Sequence, residues 1–470
     1  MSTIAADQSS VGQTAIDILP DDVLLEVFDF CTDEAEGVDG WHLLVHICQR
    51  WRSIVFASPR RLKLQLLCAD TRPVRGMLDI WPTLPIIIRN SGDPTSLVEG
   101  ADNIIAALEH NDRVCQISLG GIPGRLLERF VAVAHEPFPE LTDLALRSND
   151  EMMPALPNSF MGGSAPHLRT LWLIGIPFPA LRELLLSAHD IVHLDLSKIP
   201  NSGYISPDVM VTCLAALTRL ELLQLGFRSP RSRPPQAGPR LPLTRSVLPA
   251  LTSFYFKGVS EYVEDLVSRI DAPLLHTVEI KFFHQLIFVI SQLPQFISRI
   301  EKFKALSQAH IIVSTYSVDV KLTPQTGTFD RTTLMLGISC GETDWQLSSM
   351  AQLCSSSLHP LTMLEHLNIS TDQYLRPQWQ EDIDNTQWLE VLHPFPAVKN
   401  LYLSEDLALR VAPTLKELAE EAAADVLPTL QSLFLEGLQS SGPVQEAIGH
   451  FVTARQLSDH PVTVDRWERG

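Results

Sequence analysis

The sequence predicts an α/β fold, with a small helical segment at the N-terminus and a long run of alternating strands and helices after it. Three observations predict it. Residues 16–60 carry apolar side chains at spacings of three and four. After residue 62 a six-residue unit (apolar, two free, apolar, one free, apolar) returns eleven times. Stretches of helical pattern separate the returns.

Residues 1–15 read as a flexible tail, and 1–13 lack the apolar run of a signal peptide. Asp21 and Asp22 open the first helix, where carboxylates oppose the positive end of the dipole. Val23, Leu24, Val27 and Phe28 then give it one apolar face. The acidic stretch 33–37 ends it. A second helix is expected over 41–56, with Leu44, Ile47, Cys48, Trp51 and Val55 as its apolar set, and Pro59 closes it.

The repeating units begin at Val114, Leu141, Leu168, Ile191, Leu220, Leu251, Leu275, Leu306, Leu364, Val398 and Leu430. Most intervals lie between 23 and 34 residues, which suits a repeat array. In six units a proline stands two residues before the first position: Pro139, Pro166, Pro249, Pro273, Pro396 and Pro428. Proline cannot continue a helix but is tolerated at the start of a strand, so each marks a helix-to-strand boundary. Return helices are expected at 126–133, 207–217, 261–270 and 413–426. One such unit cannot bury its own apolar face, whereas stacked units share a core.

Two places break the array. Residues 228–243 are rich in proline and arginine and read as an exposed loop. The interval from Leu306 to Leu364 is twice a repeat and holds strand-like runs at 317–322 and 332–338. These predict a β-hairpin inserted over 315–340.

Composition narrows the function. The chain of 470 residues has a net charge of -19, which repels phosphate backbones and anionic membranes, so neither nucleic acid nor membrane is an expected partner. No apolar stretch approaches the length of a membrane span. The 7 cysteines are scattered without a Cys-x-x-Cys pair, and they read as buried reduced thiols of a cytoplasmic or nuclear protein. The glycosylation-like Asn368–Ser370 falls inside an expected strand. No Gly-x-Ser-x-Gly elbow, phosphate-binding glycine loop or His-Glu-x-x-His occurs, so no enzyme, cofactor or metal is expected. His189, His193 and Asp195 flank one strand but lack a further ligand. The acidic run 417–421, with Asp425, reads as a solvated helix face.

The segment Ile18-Leu19-Pro20-Asp21-Asp22-Val23-Leu24-Leu25-Glu26-Val27-Phe28 resembles the opening of an F-box, a Leu-Pro pair followed by an amphipathic helix. Ile47-Cys48-Gln49-Arg50-Trp51-Arg52-Ser53-Ile54 resembles that family's second hallmark. The style is similar to the large F-box families of mushroom-forming fungi. The chain departs from the family in a longer spacer between the hallmarks and in Arg60-Arg61-Leu62, where a tryptophan often stands. The remainder is similar to leucine-rich repeats without their asparagine ladder: Asn149 occupies the ninth position once, but Ile122, Ile176, Ile199 and Val259 stand there elsewhere.

The resemblance implies a small F-box at 16–60 and, over 61–470, an irregular leucine-rich-repeat-like solenoid with strands on its concave face and helices on its convex face. It also implies a role: the substrate-receptor subunit of an SCF-type cullin–RING E3 ubiquitin ligase, docking a Skp-type adaptor and holding a protein substrate. Leu19, Pro20, Val23, Leu24, Val27, Phe28, Cys48 and Trp51 are then the adaptor-facing residues, since about 45 residues are too few to enclose them all. The alternative is that they form the core of a small helical domain. A repeat scaffold acting outside a ligase, or a hydrolase or transferase of unrecognised motif, are the other functional readings.

Strand side chains alternate, so positions one, four and six of the unit face the core and position five faces outward. Position five reads Ser118, Ala145, Trp172, Asp195, Gln224, Tyr255, Glu279, His310, Asn368, Tyr402 and Phe434. Trp172, Asp195, Tyr255, Glu279, His310, Tyr402 and Phe434 are the expected substrate contacts, with Arg147, His193, Lys257 and Lys281 beside them. A phase error of one residue would place all of them in the core instead.

Overall fold

A computed structural model describes residues 15–34, 40–230, 245–285, 290–325, 332–355, 359–377, 385–420, 426–437 and 442–467. Its contacts divide the chain into two compact units, Met1–Leu144 and Ala145–Gly470. The expected tail up to residue 14, and the Pro/Arg-rich loop from residue 231 onward, lie outside the described residues.

The N-terminal unit opens with α1 (Asp21–Glu34), α2 (Gly40–Val45) and α3 (Gln49–Ala57). The single helix expected over 41–56 is therefore two. Cys48, read as part of its apolar face, is instead the extended N-cap of α3, and its Sγ accepts the Trp51 backbone N–H at 3.4 Å. Two arginines close the break. Arg52 Nε donates to the Val45 carbonyl at 3.0 Å, satisfying an orphan acceptor at the end of α2. Arg50 Nη2 donates to the Leu19 carbonyl and to Asp21 Oδ1, each at 2.6 Å, and so ties α3 to the start of α1.

Three parallel strands follow: β1 (Leu66–Ala69), β2 (Ile86–Arg89) and β3 (Val114–Leu119). Between them run α4 (Val74–Ile80), α5 (Pro94–Glu99) and α6 (Ala101–Leu108), and α7 (Gly124–Val133) comes after. β1 and β2 are four residues each and lie before the first six-residue unit that the sequence pattern marks. The helical segment shares their core: Trp41 Nε1 donates to the Gln65 carbonyl at 2.9 Å, and its ring meets Trp81 at 5.3 Å. Asn90 and Gly120 exchange two hydrogen bonds, each of 2.9 Å, so an asparagine does bridge successive turns here. It lies in a repeat that the sequence pattern did not mark.

The boundary between the units falls within β4 (Asp143–Arg147). The C-terminal unit then alternates strands and helices: β5 (Thr170–Ile174), α8 (Leu181–Ser187), β6 (His193–Ile199), α9 (Pro207–Ala216) and β7 (Leu222–Phe227). β8 (Ser246–Val247), β9 (Ser253–Gly258), α10 (Ser260–Arg269), β10 (Ile270–Asp271), β11 (Thr277–Phe283) and α11 (Gln292–Ser298) continue it. β12 (Leu306–Val313), β13 (Ser317–Pro324), β14 (Thr333–Ser339), α12 (Thr343–Ser355), β15 (His366–Thr371) and α13 (Asn385–Leu392) come next. β16 (Asn400–Leu403), α14 (Glu405–Glu420), β17 (Ser432–Glu436), α15 (Pro443–Leu457) and β18 (Thr463–Trp467) end it.

The strand order in this unit is β5-β6-β7-β9-β11-β14-β13-β12-β15-β16-β17-β18. Pairing is parallel except at β13, which runs antiparallel to β12 and β14. β8 and β10 form a separate two-stranded pair. The hairpin expected over 315–340 is β13 and β14. It lies within the sheet: β14 lies beside β11, and β12 sits two strands further on, so the sheet runs on without a gap.

The fold class is thus α/β with a mostly parallel sheet. Positions one, four and six of all eleven units are buried, none more than 5% exposed. Consecutive parallel strands need crossovers of one hand, which puts the helices over this same face. α9 and α10 match the expected return segments to within a residue at either end, and α7 begins two residues early. The last one differs. α14 begins at Glu405, eight residues before Pro413, which lies inside it. Pro413 leaves the Leu409 carbonyl without its amide donor, and Leu409 is itself exposed.

Candidate functional site

Two surfaces hold the residues singled out by the sequence. In the helical segment, Leu24 and Phe28 are fully buried. They stand four residues apart on the inner side of α1, where the Phe28 ring meets the Trp51 ring at 4.7 Å. These two are core, not surface. Leu19 and Trp51 are half-buried, whereas Pro20, Val23, Val27 and Cys48 are exposed.

Beside the expected Val23 and Val27 stand apolar side chains not among the expected adaptor contacts, namely Ile16, Ile18, Phe30, Leu43 and Ile47, and these seven are each 40% to 73% exposed. A second stripe was legible in principle, because Val23, Val27 and Phe30 follow three-four spacing one position away from the core stripe of Leu24 and Phe28.

The second surface is the open face of the C-terminal sheet. Register places Trp172 opposite Asp195, Asp195 opposite Gln224, and Gln224 opposite Tyr255. The row continues through Glu279, Met335, Lys321, His310, Asn368, Tyr402 and Phe434 to Asp465. One unbroken cross-strand row therefore holds all seven expected contacts. Trp172, Asp195, Tyr255, Glu279, His310, Tyr402 and Phe434 are all half-buried, on the face opposite the buried leucines. Ala145 is the exception among the position-five residues of this unit, being buried. Met335, Lys321 and Asp465 were missed: the first two belong to the inserted strands, and the third to a strand that carries no complete repeat unit.

Contacts along the row fix the side chains. The Arg147 guanidinium lies 4.7 Å over the Trp172 ring. Tyr402 and Phe434 stack at 4.4 Å, and Trp467 meets Tyr402 edge-on at 5.6 Å. His310 Nε2 and Ser370 Oγ lie 2.7 Å apart. Ser197 Oγ donates to Asp195 and accepts from Gln224 Nε2. Burial pushes the Asp195 carboxyl above its ordinary value, against the Ser197 hydrogen bond and the attraction of Arg147. Burial raises Glu279 likewise, with Lys281 opposing.

No protein-family model matches the chain, and no curated protein matches it. Its chemistry is read from its own residues. Among the described residues no three His, Cys, Asp or Glu side chains lie close enough to hold a metal ion. Among them, too, no helix is long and apolar enough to cross a membrane. Cys68, Cys213 and Cys354 are buried, and burial pushes the Cys213 thiol up to about 11 and the Cys354 thiol up to about 12, so these last two stay protonated. Contrary to the expectation that all the cysteines are buried, Cys115 and Cys340 are half-buried and Cys31 and Cys48 are exposed, the last two standing in the helical segment on sides that no described residue covers.

Proposed function

We propose that the chain is the substrate receptor of an SCF-type cullin–RING E3 ubiquitin ligase. Residues 16–60 act as an F-box on a Skp-type adaptor, and a leucine-rich-repeat-like solenoid presents its open sheet face to a protein substrate. The observation that carries this reading is the exposed apolar set of the helical segment. Seven large apolar side chains left in water within about 30 residues are costly unless a partner covers them, at about 25 cal/mol for each Å² removed from water. The role assigned to the protein is proximity: a held substrate gains effective concentration beside a charged conjugating enzyme.

The test is co-purification of the Skp-type adaptor with the full chain. Val23→Asp with Val27→Asp alters only exposed side chains, and Leu19→Ala with Pro20→Ala removes the helix-start anchors. Each pair is expected to abolish co-purification, since losing one apolar anchor costs about 2 kcal/mol of binding or more. Deleting residues 1–60 is a poor test, because it would strip Trp41 from the core it shares with Trp81. Adaptor binding that survives both double variants sinks the reading.

A further inference from the structure

Three exposed aromatic side chains gather on one rim of the C-terminal sheet, at the loops beyond the carboxyl ends of its parallel strands. Tyr316 is 65% exposed, Trp345 55% and Tyr374 91%, with Leu375 beside them at 47%. None belongs to the cross-strand row of the open face. Tyrosine and tryptophan left in water at one place mark a surface that a partner covers.

The inserted hairpin builds this rim. The turn at 314–316 joins β12 to β13, and Ser314 Oγ accepts the Tyr316 and Ser317 N–H groups at 3.4 and 3.0 Å. Thr315 grips the neighbouring loop: its N–H donates to the Leu375 carbonyl and its hydroxyl to the Arg376 carbonyl, each at 2.9 Å. Asp372 Oδ1 folds that loop by accepting the Tyr374 and Leu375 N–H groups, each at 2.8 Å. On the other side the Tyr316 carbonyl accepts the Cys340 N–H at 3.0 Å, and the buried Gln346 donates from Nε2 to the Ser314 and Cys340 carbonyls. Trp345, at the start of α12, stacks on His284 at 4.9 Å. The three loops are thus tied to one another, and the aromatic groups are held in place before any partner arrives.

Carboxylates share the rim. On the loops at 314–316, 340–345 and 372–376, Arg376 is the one cation among the described residues, whereas Glu342 and Asp372 are acidic. Arg376 itself lies 3.8 Å from Asp406. Next to Asp406, Glu405 lines a cavity of about 120 Å³ whose other walls are mostly apolar: Ala408, Leu409, Leu435, Pro443 and Val444. From the loop after β14 to this cavity beside β17, the order β14-β13-β12-β15-β16-β17 spans five strand spacings, about 24 Å at about 4.8 Å each.

We propose that this rim binds a proline- and arginine-bearing segment of a partner protein, extended as a polyproline II helix. The rim is made of turns, not of an open strand edge, so an added strand finds no ladder there. Its carboxylates repel a phosphorylated or acidic peptide. Proline rings pack on the faces of tyrosine and tryptophan, and the phenol and indole tips donate to the carbonyls that a polyproline helix leaves unbonded. Both surfaces are preformed, so little ordering entropy opposes the contact. Arginine meets the carboxylates, and its apolar stem suits the cavity beside Glu405. At about 3.1 Å per residue, about eight residues reach from Trp345 to that cavity. The proposal rests neither on adaptor docking nor on capture at the open face.

The test uses the full chain and three fluorescently labelled peptides of about ten residues, enough to span the rim. One is built of arginine–proline–proline repeats, the second has glycine in place of proline, and the third has glutamate in place of arginine. In anisotropy titrations the first is expected to bind roughly ten-fold or more tighter than either of the others, the worth of one hydrogen bond to a charged group. Tyr374→Ala is expected to lose most of that margin without moving the Tm, because the side chain is 91% exposed. Should that variant fail to fold, Tyr316→Ser reads the same loss. Equal binding of the glycine peptide would mean that charge alone is recognised and overturns the proposal, as does equal binding of the glutamate peptide. A margin that survives both substitutions places binding elsewhere and overturns it too. So does self-association in sedimentation that Tyr374→Ala abolishes, which would assign the rim to a second copy of the chain.

Discussion

The two faces of the C-terminal sheet are built from the same strands and differ in every other respect. One face is a run of leucine, isoleucine, valine and phenylalanine that the helices cover completely. The other alternates tryptophan, carboxylate, amide, tyrosine and lysine, most of it half-open. A strand with period two can satisfy both demands at once, because its odd and even side chains never compete for the same space. The buried face is interchangeable from repeat to repeat, whereas the open face is not. Uniformity goes with stability, and chemical variety goes with recognition.

The largest expected effect lies on the buried face. Leu223→Ala and Phe254→Ala remove fully buried side chains, and each should cost about 3–5 kcal/mol in urea unfolding. Losses below about 1 kcal/mol would mean that this face is not the core.

Next comes Gly337, on the open face. It lies opposite both Lys281 and Asp319, and a Cβ there would stand 2.0 Å from Asp319 Oδ1. Gly337→Ala must push that carboxylate off Lys281, a loss of about 2 kcal/mol for a hydrogen bond to a charged group. A variant as stable as the parent would show that the ion pair contributes nothing.

Much of this division was legible in the sequence, because burial in a repeat follows a local pattern. All thirty-three apolar positions of the six-residue units are buried, from Val114 to Leu435. What escaped depended on partners distant in sequence. Nothing local says that β14 rather than β12 lies beside β11, so Met335 and Lys321 were left out of the row they complete. Cys48 kept the spacing of a helical face while acting as a cap. Leu24 and Phe28 looked like Val23 and Val27 until packing separated the two stripes.

Trp172→Ala sharpens the comparison from the open side. Trp172 is half-exposed, and Arg147 covers its ring. Its loss should cost about 1 kcal/mol of stability, the worth of that contact and of partial burial, while weakening capture of the partner. A cost near that of Phe254→Ala would erase the distinction between the faces.

The smallest effect expected has the opposite sign. Asp195 holds its carboxyl above the ordinary value because burial disfavours the charged form. Its folded value therefore exceeds its unfolded value, near 3.9. Between the two the folded state binds more protons, so stability falls as pH rises through that window, and the loss persists at neutral pH. Below the unfolded value the group is protonated in both states, and the cost vanishes. Asp195→Asn removes the charge yet keeps an oxygen that accepts from Ser197 Oγ, so the chain from Gln224 survives. The variant should melt slightly above the parent at pH 7, by less than Trp172→Ala lowers it, and the two should converge as the pH falls toward about 4. A gain that is equal at both pH values would have some cause other than the buried charge. A loss at pH 7 would mean that the carboxylate of Asp195 stabilises this face through Arg147, and that the open side is not held in place at the expense of stability.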